Sequence, residues 1–371
     1  MKRAKIVCTI GPASGNRKTI AAMLKQGMDV ARLNFSHGTP DEHRHYFNLL
    51  RHSATALNRP LAIMQDLQGI KIRIGKVQNG TIRLISGSSV TIKSGSAVST
   101  ADRLSIPYPN VVKNLRQGDR ILIDDGMILL KISSKAEKSV TARVIQGGEL
   151  TDHKGVNLPD SVLRIASFTA KDKRDLDWGI ATGVDWVAVS FVRSGSDIRS
   201  VRRHLGRRRH PIPIIAKIER PEAVANINEI MAEADGIMIA RGDLGVEMQP
   251  EEVPVIQKKL IALAGRMDKV VITATQMLES MTDNRRPTRA EVNDVANAVI
   301  DGSDGLMLSA ETSVGGFPVE AVKVMKQVIA HTEKSVPARS LMENASLKKY
   351  NYPYAVADAA ARAARDTGAR A

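Results

Sequence analysis

The sequence predicts an α/β chain folded as a (β/α)8 TIM barrel, with an all-β lid domain inserted after the third strand. Three observations carry that reading. Eight short apolar runs, most of them rich in Val, Ile and Ala, are spread along the 371 residues, and most lead into a helical pattern. Charged residues stand where several of those runs end. One long interval, residues 76–153, abandons the helical period for period-two alternation punctuated by turns. Parallel strands joined by crossover helices bury both sheet faces, and eight such units close into a barrel.

Taken in order, the expected strands are Lys5–Ile10, Asp29–Asn34, Leu61–Asp66, Trp186–Phe191, Ile212–Ile218, Gly236–Ala240, Lys269–Ala274 and Gly305–Leu308. Helical spacing is read over Lys18–Gln26, Ser194–Leu205, Glu222–Ala232, Val253–Ala264 and Thr288–Ile300. Gly27, Gly183 and Gly265 stand where helix stop signals are expected. The inserted interval reads TIRLISGSSVTIKSG, then RILIDDGMILLKISS, then SVTARVIQGG, an antiparallel pattern for a small barrel or sandwich. It leaves from the carboxyl end of a strand, so it should overhang the active face as a lid, with the return segment HKGVNLP (Lys154, Gly155, Pro159) as hinge. The domain reading is a barrel over residues 1–75 and 155–337, with the lid over 76–154. Residues 338–371 read as a polar linker and an Ala-rich stub helix over Ala355–Arg365, following a helix at Pro318–Lys334.

Composition narrows the function classes. At 43% hydrophobic and 25% charged the chain has an ordinary globular balance, with no apolar run long enough to span a bilayer and no cleavable leader apparent. A single cysteine, Cys8, excludes an internal disulfide framework and fits a reducing cytoplasm. The formal charge of +15 admits a nucleic-acid binder or an enzyme for anionic substrates. Aromatic residues make up only 3% of the chain, leaving few platforms for stacked bases and favouring the second. The densest basic cluster, Arg202 to His210, falls at a helix carboxyl end, where cations answer the helix dipole.

In a barrel of this class, functional side chains gather where strands end. That collects Arg32, Asn34, Ser36, His37, Asp66, Lys71, Arg73, Arg193, Lys217, Glu219, Arg241, Asp243, Thr275 and Glu311. The cations suit a phosphorylated, carboxylated substrate. Glu219 and Asp243, from adjacent strands, suit one hard divalent ion that keeps water and substrate oxygens as its other ligands. Salt bridges to Arg220 and Arg241 would account for the same two carboxylates equally well. Lys217 lies two residues before Glu219 and faces the same side, where its charge could neutralise a transferring phosphoryl group or an enolate. The RGDLG loop offers the Gly242 and Asp243 N–H groups near a helix start, as an anion site or as a plain tight turn.

These residues sit in strings that resemble the pyruvate kinase family. KIVCTIGPAS, VARLNFSHG, KGVNLP, IIAKIE, GIMIARGDLGVE, VVITATQMLESM, RPTRAEVNDVANAVIDGSDGLMLSAET and FPVEAV follow in the family's order over nearly the whole chain. The resemblance implies phosphoryl transfer from phosphoenolpyruvate to ADP with Mg2+ or Mn2+, then protonation of the enolate to pyruvate. It implies catalytic roles for Lys217 and Thr275, substrate contacts from Arg32, Gly242, Asp243 and Thr275, and metal ligation by Glu219 and Asp243. Pro12, Asn34, His37, Arg73 and Lys154 fall at its nucleotide contacts. The alternative is a catalytically weak relative that only binds phosphoenolpyruvate or nucleotide.

Three departures from the family pattern matter. In potassium-dependent members Asn34, Ser36, Asp66 and a threonine at the position of Leu67 hold K+, aided by a glutamate at Lys71; leucine supplies no oxygen, and the Lys71 ammonium supplies an internal cation. K+ is therefore not expected to be required. Ile70 and Ala310 replace a common proline and glycine. The carboxyl-terminal regulatory domain is expected to be absent, and with it allosteric control through that domain. A homo-oligomer is expected, a dimer before a tetramer, with no nucleic acid or membrane partner.

Overall fold

The computed structural model describes residues 2–161, 167–206 and 211–335, with isolated positions between 356 and 369. Eight parallel strands close into a barrel in which each pairs with its neighbours in sequence. They are Lys5–Thr9, Val30–Asn34, Ala62–Asp66, Trp186–Val189, Ile214–Ile218, Gly236–Ala240, Val270–Ala274 and Gly305–Leu308. All of the expected runs are strands, most of them trimmed at one end. The fifth begins at Ile214 and not Ile212 because Pro213 has no N–H to give a ladder. The fourth stops at Val189, two residues early, because the chain turns through Phe191 at φ 54°.

Alternation along each strand divides the core into two layers. Val7, Met64, Ala188, Ile215, Met238, Ile272 and Met307 point inward and pack against one another inside the barrel. Their strand neighbours, such as Ile6, Cys8, Ile63, Ile214 and Ile237, face outward into a larger core shared with the surrounding helices.

The helices confirm most of the expected periodicity and correct it in places. Gly27 and Gly183 stop helices with left-handed φ of 113° and 86°. Gly265 does not: it lies inside the helix Val253–Arg266, which is capped at Met267, and the chain turns at Asp268 with φ 55°. The segment read as one helix over Glu222–Ala232 is two, Pro221–Ala225 and Ile227–Glu233, broken at Asn226. Two helices that apolar spacing did not single out, Pro40–Ala56 and Ala170–Thr182, each open with a capping box, Thr39 with Glu42 and Thr169 with Asp172.

The inserted interval folds into β structure with its own buried cluster, including Ile74, Ile92, Leu104, Ile121, Leu130 and Val144. A six-stranded sheet runs in the spatial order Val156–Asn157, Arg120–Ile123, Ile128–Lys135, Ser139–Gln146, Ser89–Ser94, Arg103–Ile106. A second, two-stranded sheet pairs Gly148–Thr151 with Thr81–Leu84. The sheets are not wholly antiparallel as expected, because Ser89–Ser94 and Arg103–Ile106 pair in parallel. The outgoing and returning chains are bonded to each other where they leave the barrel. Ile74 N–H donates to Lys154 O at 2.8 Å, Val156 N–H donates to Ile72 O at 2.9 Å, and Arg73 and Gly155 form an antiparallel bridge.

Two members of the basic cluster meet carboxylates where it is described: Arg202 pairs with Asp235, and His204 Nε2 lies 2.8 Å from Asp177 Oδ1. Its remaining members, residues 207–210, lie outside the described residues. So does the linker and stub helix read over 338–371, isolated positions apart. The last long helix, Pro318–Ser335, packs on the helices Arg17–Gln26 and Arg289–Asp301.

Leu130 is fully buried in a middle strand of the six-stranded sheet. Leu130→Ala is expected to destabilise the protein by about 2–5 kcal/mol, through lost apolar contact and the cavity left behind. Urea denaturation followed by circular dichroism reads this, and an unchanged midpoint would contradict the packing described.

Candidate active site

At the carboxyl ends of strands two to five a buried knot of charge forms. Arg32, on strand two, donates from Nε to Asp66 Oδ2 at 2.7 Å and from an NH group to Thr9 Oγ1 at 2.9 Å. Asp66, at the end of strand three, is 1% exposed. Lys217, on strand five, reaches Glu219 Oε1 at 2.8 Å, Ser190 Oγ at 2.8 Å and Asp66 Oδ1 at 3.4 Å. The second Glu219 oxygen accepts from Phe191 N–H at 2.7 Å, and the positive φ of Phe191 accompanies that contact.

Burial and charge pull these groups in opposite directions. Burial favours neutral Lys217, but Asp66 and Glu219 outweigh it and hold the ammonium above its ordinary pKa. For Asp66, burial favours the protonated form, yet Lys217 and Arg32 overcome it and keep its pKa below the ordinary value. Glu219 goes the other way: burial raises its pKa, Lys217 offsets part of this, and the nearby Asp243 raises it again. The salt bridges that might have explained the two carboxylates do not form among the described contacts. Arg220 pairs with Glu222 at 3.2 Å and lies 3.7 Å from Glu247, while Arg241 pairs with Asp294 at 2.8 Å.

Strands six to eight contribute a backbone frame. The RGDLG segment is neither loop nor plain turn but the start of a short helix, Arg241–Glu247, directly after strand six. Gly242 N–H donates to Thr275 Oγ1 at 2.7 Å, and Thr275 Oγ1 donates to Ala274 O at 2.6 Å. Thr275 holds φ 67°, a strained conformation for a β-branched residue, of the kind found at functional sites. Arg241 is turned away from the knot; its guanidinium binds the carbonyl oxygens of Thr275 and Gln276 at 2.6 and 3.2 Å and fixes the strained loop from behind. Glu311, 2% exposed, accepts from Leu278 and Ser309 N–H and ties the last two strand ends together. Arg241 and Glu311 thus shape the mouth without entering the knot.

The remaining expected residues lie at the entrance. Asn34 Oδ1 accepts from Ser36 N–H at 3.2 Å. His37 is exposed and its pKa is lowered by partial burial and by Lys71, Arg73 and Arg32 around it. Arg73 donates to His153 O at 2.9 Å, on the returning chain. Lys154 pairs with Asp124 of the inserted sheet at 2.8 Å rather than with any barrel residue. Pro12 is exposed in the turn after strand one. A cleft between the barrel mouth and the inserted sheet is lined by Lys71, Gly155, Asn157, Phe191, Arg193, Arg220, Asp243 and Glu247.

Two positioning residues escaped the sequence reading. Ser190 sits just past the end of strand four and binds Lys217, and Thr9 at the end of strand one binds Arg32. Both occupy strand ends, so the signal was present; neutral hydroxyls simply did not stand out among charges.

The donor set fits a divalent cation. Two carboxylates from adjacent strands lie close enough that Asp243 raises the proton affinity of Glu219, a repulsion that a bound cation would relieve. No group of three or more His, Cys, Asp or Glu side chains suited to a metal occurs among the described residues. Water and substrate oxygens would complete the shell, the habit of Mg2+.

Fold and site together define a (β/α)8 barrel whose mouth gathers buried cations and carboxylates from several strand ends. A family model described as the pyruvate kinase barrel domain matches residues 1–322. A pyruvate kinase of Geobacillus stearothermophilus is 45% identical over 346 residues, covering 92% of this chain and 59% of that protein. One from Mycobacterium tuberculosis is 44% identical over 337 residues, covering 91% of this chain and 71% of that protein. A crystal structure of a Cryptosporidium parvum pyruvate kinase superposes with a TM-score of 0.93 at 36% identity, over 98% of this chain and 77% of its own. The chain belongs to the pyruvate kinase family, and it spans about three fifths of the Geobacillus relative's length.

Asp66 is the anion shared by Arg32 and Lys217, so Asp66→Asn should leave Arg32 buried without its carboxylate and Lys217 with Glu219 alone, and destabilise the fold by about 3–5 kcal/mol. Because the folded pKa of Asp66 lies below its unfolded value, this contribution is present above the ordinary aspartate range and is lost as pH falls through the depressed pKa. Denaturant titrations of both proteins at several pH values read the gap, which should narrow toward the acid end.

Proposed function

We propose that this chain transfers the phosphoryl group of phosphoenolpyruvate to the β-phosphate of ADP, giving ATP and an enolate that takes a proton at its methylene carbon to become pyruvate. The observation that carries the reading is Lys217, a buried ammonium kept protonated by Asp66 and Glu219 at the barrel mouth. Its charge is in place before reaction, where it can stabilise both the transferring phosphoryl group and the enolate oxygen. Arg32, oriented by Asp66 and Thr9, is suited to hold the phosphate. Gly242, Asp243 and Thr275 would receive the carboxylate end, with Thr275 beside the proton path. Glu219 and Asp243 would hold Mg2+ or Mn2+, which when bound would neutralise charge on the phosphate.

Pro12, Asn34, His37, Arg73 and Lys154 would contact the nucleotide, with the inserted sheet acting as a lid. For Lys154 this requires release from Asp124, a partly exposed pair of the kind worth at most about 1 kcal/mol. The bonded stem at residues 72–74 and 154–156 gives the lid a common pivot. Turnover without K+ is supported by two features: Leu67 is buried with no side-chain oxygen, and Asp66 is committed to Arg32 and Lys217. Lys71, near enough to lower the pKa of His37, would supply the monovalent charge. A cytoplasmic homodimer completes the reading.

Pyruvate release, coupled to lactate dehydrogenase, tests the proposal. With Mg2+, ADP and phosphoenolpyruvate the protein should turn over, and Lys217→Met should lower kcat by about 10²–10³-fold. Chelating the divalent ion should abolish activity, whereas replacing K+ by tetramethylammonium should change it little. Strict K+ dependence would overturn the role given to Lys71; no turnover at all would favour a binding protein.

A further inference from the structure

The opposite, amino-terminal end of the barrel holds a cavity of about 320 Å3, lined by Val7, Val30, Met64, Trp186, Ile215 and Ile272. A barrel interior is ordinarily filled by layers of side chains. Here the eighth strand opens with Gly305, whose absent side chain would point between Ile272 at 3.3 Å and Val7 at 3.7 Å. The lowest layer therefore carries no side chain at this position, and Gly305 itself lines the cavity. Val270, 36% exposed, forms part of the rim.

The rim also carries charge. Arg3 and Lys5 are exposed there, and neither side chain forms an ion pair among the described residues. The rim's one carboxylate, Asp304, is engaged by Val271 N–H at 2.9 Å. An apolar pocket of this size with a few polar groups at one end has the form of a small-molecule site. Two unpaired cations over an apolar floor are complementary to a ligand with an apolar body and one negative end.

We infer that the base of the barrel binds apolar monoanions of the medium-chain carboxylate class, chain inward and carboxylate against Arg3 and Lys5. The site is remote from the carboxyl-terminal mouth, and the inference does not depend on the proposed reaction.

Trp186 makes the inference measurable. The chain has two tryptophans, and the other, Trp178, packs against Phe35 and Phe47 outside this cavity. In a Trp178→Phe background, octanoate below its micellar range should change Trp186 fluorescence saturably. Octanol, of equal chain length and no charge, should bind at least about fivefold more weakly, as should octanoate to an Arg3→Glu, Lys5→Glu variant. Val270→Phe, crowding the rim, should abolish the response while circular dichroism stays unchanged. Gly305→Val gives a second block from inside, should Val270→Phe fail to fold. Absence of a saturable signal, survival of the signal in both blocked variants, or equal affinity for octanol would each overturn the inference.

Discussion

A lysine ammonium taken out of water at the end of strand five is the constraint on which the site depends. Desolvation alone costs several kcal/mol per ion, roughly, and would drive Lys217 to its neutral form. Asp66 from strand three and Glu219 from its own strand reverse that balance. Asp66 can serve only because Arg32 and Thr9 hold the other side of the knot, and Glu219 because Phe191 turns its N–H inward. Five strand ends must therefore keep their register for one charge to stay in place. A closed barrel, which has no free edge along which strands could slip, supplies that register.

The same economy governs the second half of the mouth. Thr275 sits in a conformation that a β-branched residue avoids, and four contacts hold it there: its own hydroxyl to Ala274 O, Gly242 N–H to that hydroxyl, and Arg241 on two carbonyls. Arg241 looked from its position like another ligand-facing cation. Its work is instead to brace the loop, with Asp294 as its counter-ion. The inserted sheet meets this mouth through a stem whose two chains bond to each other, so any motion of the sheet must carry both together.

Much of this was legible beforehand because local rules and global fold agree. Period-two apolar runs, helix caps at Gly27 and Gly183, and charges at strand ends were each read from short windows of sequence. What failed did so for identifiable reasons. Gly265 resembles a stop signal, but a helix tolerates glycine in its last turn when the left-handed residue comes later, at Asp268. Parallel pairing of Ser89–Ser94 with Arg103–Ile106 leaves no mark on alternation, which is the same for either direction. Ser190 and Thr9 were passed over because a buried hydroxyl gains its meaning only from the cation it meets.

The sequence by itself determined the barrel, the interruption after its third strand, and the charged groups that meet in the knot at its mouth. Those follow from periodicity and strand-end position, which are properties of neighbouring residues. Which partner each charge takes was decided only by the tertiary structure. Lys217 choosing Asp66 over solvent, Arg241 choosing Asp294, and Lys154 choosing Asp124 all depend on distances between segments separated along the chain. Electrostatic energy depends on those distances and on burial, and neither is written in spacing along the sequence.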